Sequence, residues 1–471
     1  MEMITTTYDS VDKKILKSLD NNKVLHRPNA SAGLWLMPLV GISALATILR
    51  EDNSYSEICL LIGITGVGLV LSSICLIAQL TIDKSSIKDF QIIYFLPATI
   101  TSMLYLLWAS KGLLVSVSWG LSVGSIGTWG VLQLMSLCPK CFTLGEATTV
   151  THGIILFLLS TCTNLPQRYH LPPLHDDDIA TIILQVGIIF VGLVCALCMI
   201  IPKIRETKYF YITTFGILII GVVPLLHILL DQSPLLWMIY FIFGDLQRMT
   251  FIIYAATCLL VGSGFLMNQI SSDTHAGTAG RKIFHLLAVL VYIPGLMFEP
   301  TLLYLASGII MGIFMMLELL RFLNIPPFGK FLQLGFSVFA DEKDSLISLT
   351  PIYLLIGMSF PLWMPTTNLD LLTLLSGVLT IGIGDASASL VGSKWGKTKW
   401  NGCEKSIEGT VACILSQLIV IYLLAASGFI YNLFSLIRIT LVVIGVSFIE
   451  ARTDQVDNLI LPLIFYICLI I

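Results

Sequence analysis

Apolar runs of about twenty residues alternate with short polar breaks along almost the whole chain. A run of that length lets an α-helix cross the hydrocarbon core of a bilayer, and lipid-exposed backbone must satisfy its own hydrogen bonds. The predicted spans are residues 33–49, 58–82, 90–109, 113–137, 151–165, 179–200, 210–230, 234–268, 283–298, 301–320, 346–365, 370–391, 410–430, 433–449 and 458–471. We therefore predict an all-α polytopic membrane protein, a bundle of about 13–15 transmembrane helices.

One of these runs, residues 234–268, is too long for a single simple span and contains Asp245 and Arg248. We interpret it as one crossing with an attached interfacial turn. Two crossings would invert the orientation of one half of the chain.

Composition supports the membrane class, since 56% of residues are hydrophobic and only 12% are charged. Soluble domains carry about 25% charged residues. The net charge of −3 argues against nucleic acid as a partner.

The distribution of basic residues predicts the orientation of the bundle. With the N-terminus in the cytosol, the cytosolic segments hold 21 of the 26 lysines and arginines, as the positive-inside rule requires. The predicted organisation is a cytosolic N-terminal segment (1–32), N-terminal transmembrane helices (33–268) and a C-terminal catalytic transmembrane domain (269–471) with a cytosolic loop at 392–409.

The stretch 381–410 concentrates polar chemistry at a membrane border. Asp385 is predicted about two turns, roughly 10 Å, inside the end of its helix. Helical spacing places Gly382, Ser389 and Gly392 on the same face, where small side chains leave room beside the carboxylate. Such a buried acid is either paired with a lysine in the bundle, or serves as a Mg²⁺ ligand or a base at a phosphate site.

The segment from Gly392 to Thr398 nearly matches a P-loop, but three residues separate its glycines where four are needed, and it follows a membrane helix. Its glycines and the lysines Lys397, Lys399 and Lys405 still suit a phosphate chain, although topology alone also explains lysines here.

Ser406 is a predicted N-cap of the next membrane helix, whose positive end is a natural anion site. Glu408 suits the first turn of that helix even without a function. Trp395 and Trp400 can stack a base, but tryptophans are also common at membrane interfaces.

Several of these residues form a recognisable pattern: Gly384-Asp385-Ala386, Gly392, Gly396-Lys397 and Lys405-Ser406-Ile407-Glu408-Gly409-Thr410. The pattern resembles that of the dolichol kinases, a branch of the CTP-dependent polyprenol kinase family. The resemblance covers about residues 270–471, and the N-terminal half resembles the family only by hydropathy. Related elements occur in membrane CDP-diacylglycerol synthases.

The resemblance implies CTP as phosphoryl donor, dolichol as acceptor and an endoplasmic reticulum membrane location with a cytosolic site, which would supply the lipid carrier of protein glycosylation. It implies a CTP-binding segment of Trp395, Gly396, Lys397, Lys399, Trp400, Gly402, Lys405, Ser406, Glu408, Gly409 and Thr410. The family often has two consecutive basic residues before the Ser or Thr; Glu404 replaces the first here.

Two further elements resemble the family near other spans. Arg281, Lys282 and His285 begin one span, with Arg281 and His285 spaced to face the same cleft. Glu318 and Arg321 end another, where an ordinary helical ion pair also explains them.

Four acidic positions and an asparagine complete the resemblance. Asp341 and Asp344 are metal-ligand candidates in what is otherwise a solvated charge run. Glu450, Asp457 and Asn458 resemble the family's terminal elements and suit a second Mg²⁺ position.

The predicted mechanism is a phosphoryl transfer that needs positioning and charge neutralisation. Asp385, Asp457 and Glu450 are the predicted Mg²⁺ ligands, and Asp385 or His285 is the base. Two alternatives are a CTP:lipid-phosphate cytidylyltransferase and a non-enzymatic transporter, although no paired halves typical of transporters are visible.

Overall fold

The computed structural model describes residues 2–49, 57–82, 92–173, 175–271, 278–339, 346–364, 369–401, 403, 405–429 and 432–471. Across these ranges the regular structure is helical, apart from one isolated β-bridge between Lys399 and Ser406. The predicted all-α class is confirmed.

The described residues of the N-terminal half form twelve α-helices, several of them joined by short 3₁₀ or π segments. They are α1 (Glu2–Asn21), α2 (Leu39–Ala46), α3 (Glu57–Ile82), α4 (Phe95–Leu107), α5 (Leu113–Leu121), α6 (Val131–Leu137), α7 (Leu144–His170), α8 (Asp176–Ile200), α9 (Thr207–Gly216), α10 (Val223–Leu230), α11 (Pro234–Phe243) and α12 (Leu246–Ser271). The 3₁₀ segments are Leu34–Leu36, Thr47–Leu49, Ile92–Tyr94 and Pro202–Arg205, and the π segments are Ser122–Gly130 and Ile217–Val222.

In the C-terminal half, the residues that the structure describes form nine more α-helices and a third π segment, Val378–Asp385, which joins α17 to α18. They are α13 (Thr278–Phe298), α14 (Pro300–Phe322), α15 (Phe328–Phe339), α16 (Thr350–Trp363), α17 (Leu371–Leu374), α18 (Ala386–Trp395), α19 (Ile407–Ala426), α20 (Leu433–Arg452) and α21 (Asp457–Ile470).

Nine helices in the described ranges are long and apolar enough to cross a membrane, and six shorter apolar helices accompany them. A helix of 26 residues such as α3 is about 39 Å long, more than the hydrocarbon core requires. The chain is therefore a polytopic membrane protein, as the hydropathy pattern predicts.

The long apolar run 234–268 divides into two helices of unequal length. The first, α11, has ten residues and spans only about 15 Å, whereas α12 has 26 residues. Near the start of α12, Arg248 pairs with Asp176 at 3.4 Å and with Glu299 at 3.3 Å. The geometry agrees with one crossing preceded by an attached short helix.

Two apolar cores position the C-terminal helices. One core joins α13, α16, the helix from α17 to α18, α19, α20 and α21 through residues such as Val289, Met358 and Ile381. The other packs Ile15 and Leu19 of α1 against the beginning of α21. The N-terminal segment is thus packed on the C-terminal helices, a contact that hydropathy does not indicate.

Close helix approach depends on glycine at several crossings. A Cβ atom at Gly66 of α3 would lie 2.6 Å from the carbonyl oxygen of Gly41 in α2, and one at Gly41 would lie 2.8 Å from the carbonyl oxygen of Gly66. Small residues let membrane helices approach until their backbones touch. By contrast, a Cβ atom at Gly187 of α8 would meet no atom within 4 Å.

We predict opposite effects for alanine at these two positions. Gly66→Ala forces α2 and α3 apart and destabilises the fold by about 1–3 kcal/mol, as overpacking does. Gly187→Ala, the matched control, leaves stability unchanged or raises it, because alanine favours a helix more than glycine does. The apparent Tm of the detergent-solubilised protein measures both, and equal shifts would contradict the packing argument.

Candidate active site

Asp385 lies at the junction between the π segment and α18, where it is buried. The helix continues to Trp395, past the predicted end at residue 391. Asp385 therefore lies ten residues, roughly 15 Å, before the helix end, and the predicted depth of two turns is wrong. Hydropathy marks where a membrane span ends, and this helix extends beyond its apolar run.

Two side chains of α13 approach Asp385. Lys282 forms an ion pair with its carboxylate, and the Nε2 atom of His285 lies 3.9 Å from its Oδ2 atom. All three are largely buried. The structure thus places two of the predicted site residues, Lys282 and His285, beside Asp385, whereas the side chain of Arg281 lies outside the described residues.

The small residues beside Asp385 are used for packing. A Cβ atom at Gly382 would lie 2.3 Å from Val289 Cγ2, and one at Gly384 would lie 2.6 Å from Gln417 Nε2. Further along, a Cβ atom at Gly392 would lie 3.1 Å from Ser406 Oγ. The prediction that Gly382 and Gly392 leave open space is therefore wrong, because neighbouring helices fill it.

The segment between α18 and α19 is a short hairpin rather than an extended loop over 392–409. The Ile407 amide donates to the Thr398 carbonyl at 2.8 Å, and the Trp400 amide donates to the Lys405 carbonyl at 3.1 Å. Glu408 accepts hydrogen bonds from the Thr398 amide at 3.1 and 3.2 Å. The carboxylate of Glu408 thus holds the hairpin against the first turn of α19, and Gly402 lies outside the described residues.

Ser406 is the N-cap of α19, as predicted, because its Oγ atom accepts a hydrogen bond from the Gly409 amide at 3.1 Å. A Cβ atom at Gly409 would lie 2.9 Å from the carbonyl oxygen of Ala388, and one at Gly396 would lie 2.4 Å from that of Gly392. The Cβ atom at Gly396 would also lie 2.6 Å from Ser406 Oγ, so these glycines let the start of α19 pack directly against α18.

Lys405 is the lysine of the hairpin that points into the protein. Its Nζ atom donates to the Glu450 carboxylate at 2.5 Å and to the Glu450 carbonyl at 2.7 Å, and lies 3.9 Å from Asp457. Burial lowers the pKa of Lys405, but Glu450, Asp457 and the more distant Asp385 outweigh it and raise the pKa above its ordinary value. Lys405 is therefore charged, whereas Lys397 and Lys399 are exposed to solvent.

The two tryptophans of the hairpin differ in their surroundings. Trp395 is 64% exposed at the end of α18. The Nε1 atom of Trp400 donates to Thr410 Oγ1 at 3.0 Å, its ring packs edge-on against Phe448, and Arg452 lies over it. Trp400 thus ties the hairpin to α19 and α20, and Trp395 is the better placed to stack a nucleotide base.

Glu318 and Arg321 form the predicted helical ion pair, in bidentate geometry at 2.8 and 2.5 Å. Arg321 also donates to the Leu346 carbonyl at 3.0 Å, and Glu318 accepts from the Ser348 amide at 2.9 Å. The pair therefore anchors the beginning of the segment before α16. Asp341 and Asp344 lie outside the described residues.

The described carboxylates do not form a complete metal site by themselves. No three His, Cys, Asp or Glu side chains in the described ranges are close enough to hold a metal ion. However, Glu450 and Asp457 share Lys405, and the buried Oδ1 atom of Asn458 accepts no hydrogen bond from the described residues. Since Mg²⁺ usually takes one or two carboxylates together with substrate phosphates, this donor set fits an ion that arrives with a nucleotide.

The sequence interpretation missed one group of charged residues near Asp457. Arg27 and Glu146 form a buried ion pair at 2.9 Å, and Glu146 also accepts from the Val456 amide at 2.9 Å. A local signal was present, because Thr143 and Glu146 have the spacing of a capping box before an apolar run, and the box forms.

The sequence is similar to dolichol kinases of several organisms. The family model for dolichol kinase matches residues 31–353. Dolichol kinase of Mus musculus is 32% identical over 94% of this chain and 86% of its own length. The Homo sapiens enzyme is 34% identical over 71% of this chain and 66% of its own length. The Saccharomyces cerevisiae enzyme is 25% identical over 90% of this chain and 84% of its own length. No solved structure gives a significant match.

The matched region begins at residue 31, so the similarity to the family extends through the N-terminal half. The expectation that this half resembles the family only by hydropathy is therefore wrong. The family model ends before the hairpin, whereas the mouse alignment covers nearly the whole chain. The chain belongs to the dolichol kinase family.

Proposed function

We propose that this protein transfers the terminal phosphoryl group of CTP to the hydroxyl group of dolichol. We place the reaction at a charged site made of Lys282, His285, Asp385, Lys405, Glu450 and Asp457. Family membership makes the protein a membrane lipid kinase that uses a nucleotide donor and a polyprenol acceptor. The choice of CTP, the endoplasmic reticulum and a cytosolic site belong to the proposal, and they rest on the sequence resemblance and the charge distribution.

The observation that carries the proposal is the meeting of two lysine–carboxylate pairs, Lys282 with Asp385 and Lys405 with Glu450. Gly384, next to Asp385, packs closely against Gln417 of α19, the helix that follows Lys405, so we assign the two pairs to one site. A triphosphate supplies anions to the lysines, and its accompanying cation supplies positive charge to the carboxylates. Each buried charge therefore keeps a partner before and after the nucleotide binds, which avoids the cost of an unpaired buried charge.

A magnesium ion bound with the nucleotide would be held by carboxylates from Asp385, Glu450 and Asp457, and would neutralise charge on the β- and γ-phosphates. The chain itself contributes the two lysines and the amino-terminal end of α19, a twenty-residue helix capped by Ser406. Helix N-termini bind phosphate because their backbone amides are unpaired and their dipole is positive.

In the transfer, the lipid oxygen forms a bond to the γ-phosphorus while the bond to the β-phosphate oxygen breaks, and CDP leaves. The hydroxyl proton passes to Asp385 or to His285, which lie 3.9 Å apart. Both residues lie on helices of the bundle, and Asp385 is roughly 15 Å from its helix end. A lipid alcohol can thus meet the base while its chain stays in the bilayer.

The comparisons do not support the cytidylyltransferase or the transporter as alternatives. A direct assay still separates the first of these from the kinase. We expect the purified protein, given dolichol and labelled CTP, to form CDP and dolichyl phosphate. Parallel reactions with ATP test the donor, and reactions with phytol or diacylglycerol test the acceptor. Release of pyrophosphate with a CDP-lipid would contradict a kinase.

We predict that Asp385→Asn lowers kcat by about 10²–10⁴-fold, the usual contribution of general acid–base catalysis, while membrane insertion is unchanged. The matched control is Asp370→Asn, because Asp370 lies at the beginning of the same helix and its Oδ1 atom accepts a hydrogen bond from Thr373 Oγ1, which an asparagine side chain can also accept. Turnover of both variants is measured alongside their amounts in the membrane. Near-normal turnover of Asp385→Asn would remove this residue from the site.

We predict that Lys405→Met raises the KM for CTP by about 10- to 100-fold, since a hydrogen bond to a charged group contributes about 1.5–3 kcal/mol. The KM for dolichol should change little, because Lys405 lies on the hairpin side of the site. Lys208→Met, at an exposed position in α9, is the control. Equal changes in the two KM values would argue against a phosphate contact.

A further inference from the structure

The turn formed by residues 453–456 joins α20 to α21 and connects two residues of the charged site. Glu450 lies three residues before the turn, in the last part of α20, and Asp457 is the first residue of α21. Both contact Lys405. A shift of the turn would therefore move both carboxylates relative to that lysine.

Parts of the chain that are distant in sequence hold this turn through hydrogen bonds. The Arg27 guanidinium donates to the Asp454 carbonyl at 3.1 Å, and Glu146 accepts from the Val456 amide at 2.9 Å. Arg27 and Glu146 also pair with each other at 2.9 Å, with 5% and 0% of their side chains exposed. The buried ion pair thus forms hydrogen bonds with two backbone groups of the turn, the Asp454 carbonyl and the Val456 amide.

A second set of bonds comes from Ser31, which precedes the first 3₁₀ segment. Its amide and hydroxyl donate to the Asp454 carboxylate at 2.6 and 3.0 Å, and Gln455 Nε2 donates to the Ser31 hydroxyl at 3.0 Å. Burial raises the pKa of Asp454, but the hydrogen bonds from Ser31 and Gln455 outweigh it and lower the pKa. Asp454 is therefore an ionised acceptor that fixes the N-terminal segment on the turn.

Close backbone packing completes the arrangement. Gly33 has a positive φ of 71°, and a Cβ atom there would lie 2.6 Å from Gln455 Oε1. The Gly145 amide donates to the Ala32 carbonyl at 2.8 Å, and a Cβ atom at Gly145 would lie 2.2 Å from the Gly33 carbonyl oxygen. The N-terminal segment, the start of α7 and the turn thus form one interlocked unit.

We propose that Arg27, Ser31, Glu146 and Asp454 are positioning residues that hold Glu450 and Asp457 around Lys405. We call these four residues the N-terminal clamp. The proposal rests on the function proposed above and assigns the N-terminal segment a role in the reaction. The apolar core of α1 and α21 already joins these elements, so the buried charges of the clamp are not needed merely to attach them. Instead, the hydrogen bonds from these residues set the orientation of the turn.

The clamp is tested with Glu146→Gln, which keeps the size of the side chain and removes the charge that pairs with Arg27. We expect kcat/KM for CTP to fall about 10- to 100-fold, the usual effect of losing a group that orients a ligand, while the KM for dolichol is unchanged. The matched control is Glu299→Gln, because Glu299 also forms a buried interhelical ion pair, with Arg248. Glu299 lies at the other end of α13 from Lys282, about 25 Å away. Its substitution should therefore leave kcat/KM for CTP and the KM for dolichol unchanged.

A double variant separates positioning from general destabilisation. If the clamp acts through Lys405 and its carboxylates, Glu146→Gln causes little further loss of kcat/KM in a Lys405→Met background, because coupled residues are not additive. Full additivity would overturn the proposal, as would a wild-type kcat/KM in the single variant. The apparent Tm of each variant shows whether its loss of kcat/KM is accompanied by a loss of thermal stability.

A milder variant covers the case in which Glu146→Gln does not fold. Ser31→Ala removes the hydroxyl contacts with Asp454 and Gln455 but keeps the ion pair, and Ser31→Thr restores the hydroxyl. We expect Ser31→Ala to lower kcat/KM for CTP and Ser31→Thr to recover it; equal activity of the two variants would count against the clamp. Wild-type protein that forms no dolichyl phosphate would overturn the proposed function itself, whereas active wild-type protein with unaffected clamp variants would overturn only the clamp.

Discussion

A charge buried in a membrane-spanning bundle needs a partner, and much of this structure depends on that requirement. An isolated charge among apolar helices is strongly unfavourable, so ionisable residues there pair with each other or mark functional sites. The buried carboxylates described here follow the rule: Asp385 pairs with Lys282, Glu450 with the partly exposed Lys405, and Glu146 with Arg27. Each pair joins segments that are far apart in sequence. The pairs consequently determine how α13, α18, α20 and the N-terminal segment meet.

The same requirement suits a phosphoryl-transfer site. Lysines that neutralise carboxylates in the unliganded protein can neutralise phosphates when a nucleotide binds, and the carboxylates can then take a cation. Phosphoryl transfer needs positioning and charge neutralisation far more than covalent chemistry. A site held by exchangeable ion pairs provides both, and the glycines that bring α19 against α18 keep the capped helix end close to it.

Local features of the site were predictable because they depend on a few neighbouring residues. Ser406 is followed by an apolar run, so it caps a helix wherever that helix packs. His285 lies on the side of α13 that approaches Asp385, together with Lys282, whereas its predicted partner on that face was Arg281. The end of the Asp385 helix was predicted too early, because hydropathy reports the extent of the apolar run and polar residues continue the helix beyond it. The glycines were assigned to ligand access, although their contacts with neighbouring helices show that they serve packing.

The order of residues alone predicts the all-α membrane class, most of the helix positions and the concentration of polar chemistry around Asp385 and the hairpin. These follow from hydropathy and charge, which are properties of the chain read in order. The folded chain was needed to identify which lysine pairs with which carboxylate, and to find that Arg27 and Glu146 hold the turn between Glu450 and Asp457. The reason is physical: these contacts depend on the rotation and depth of one helix against another. Packing across the whole bundle sets both, and no local pattern encodes them.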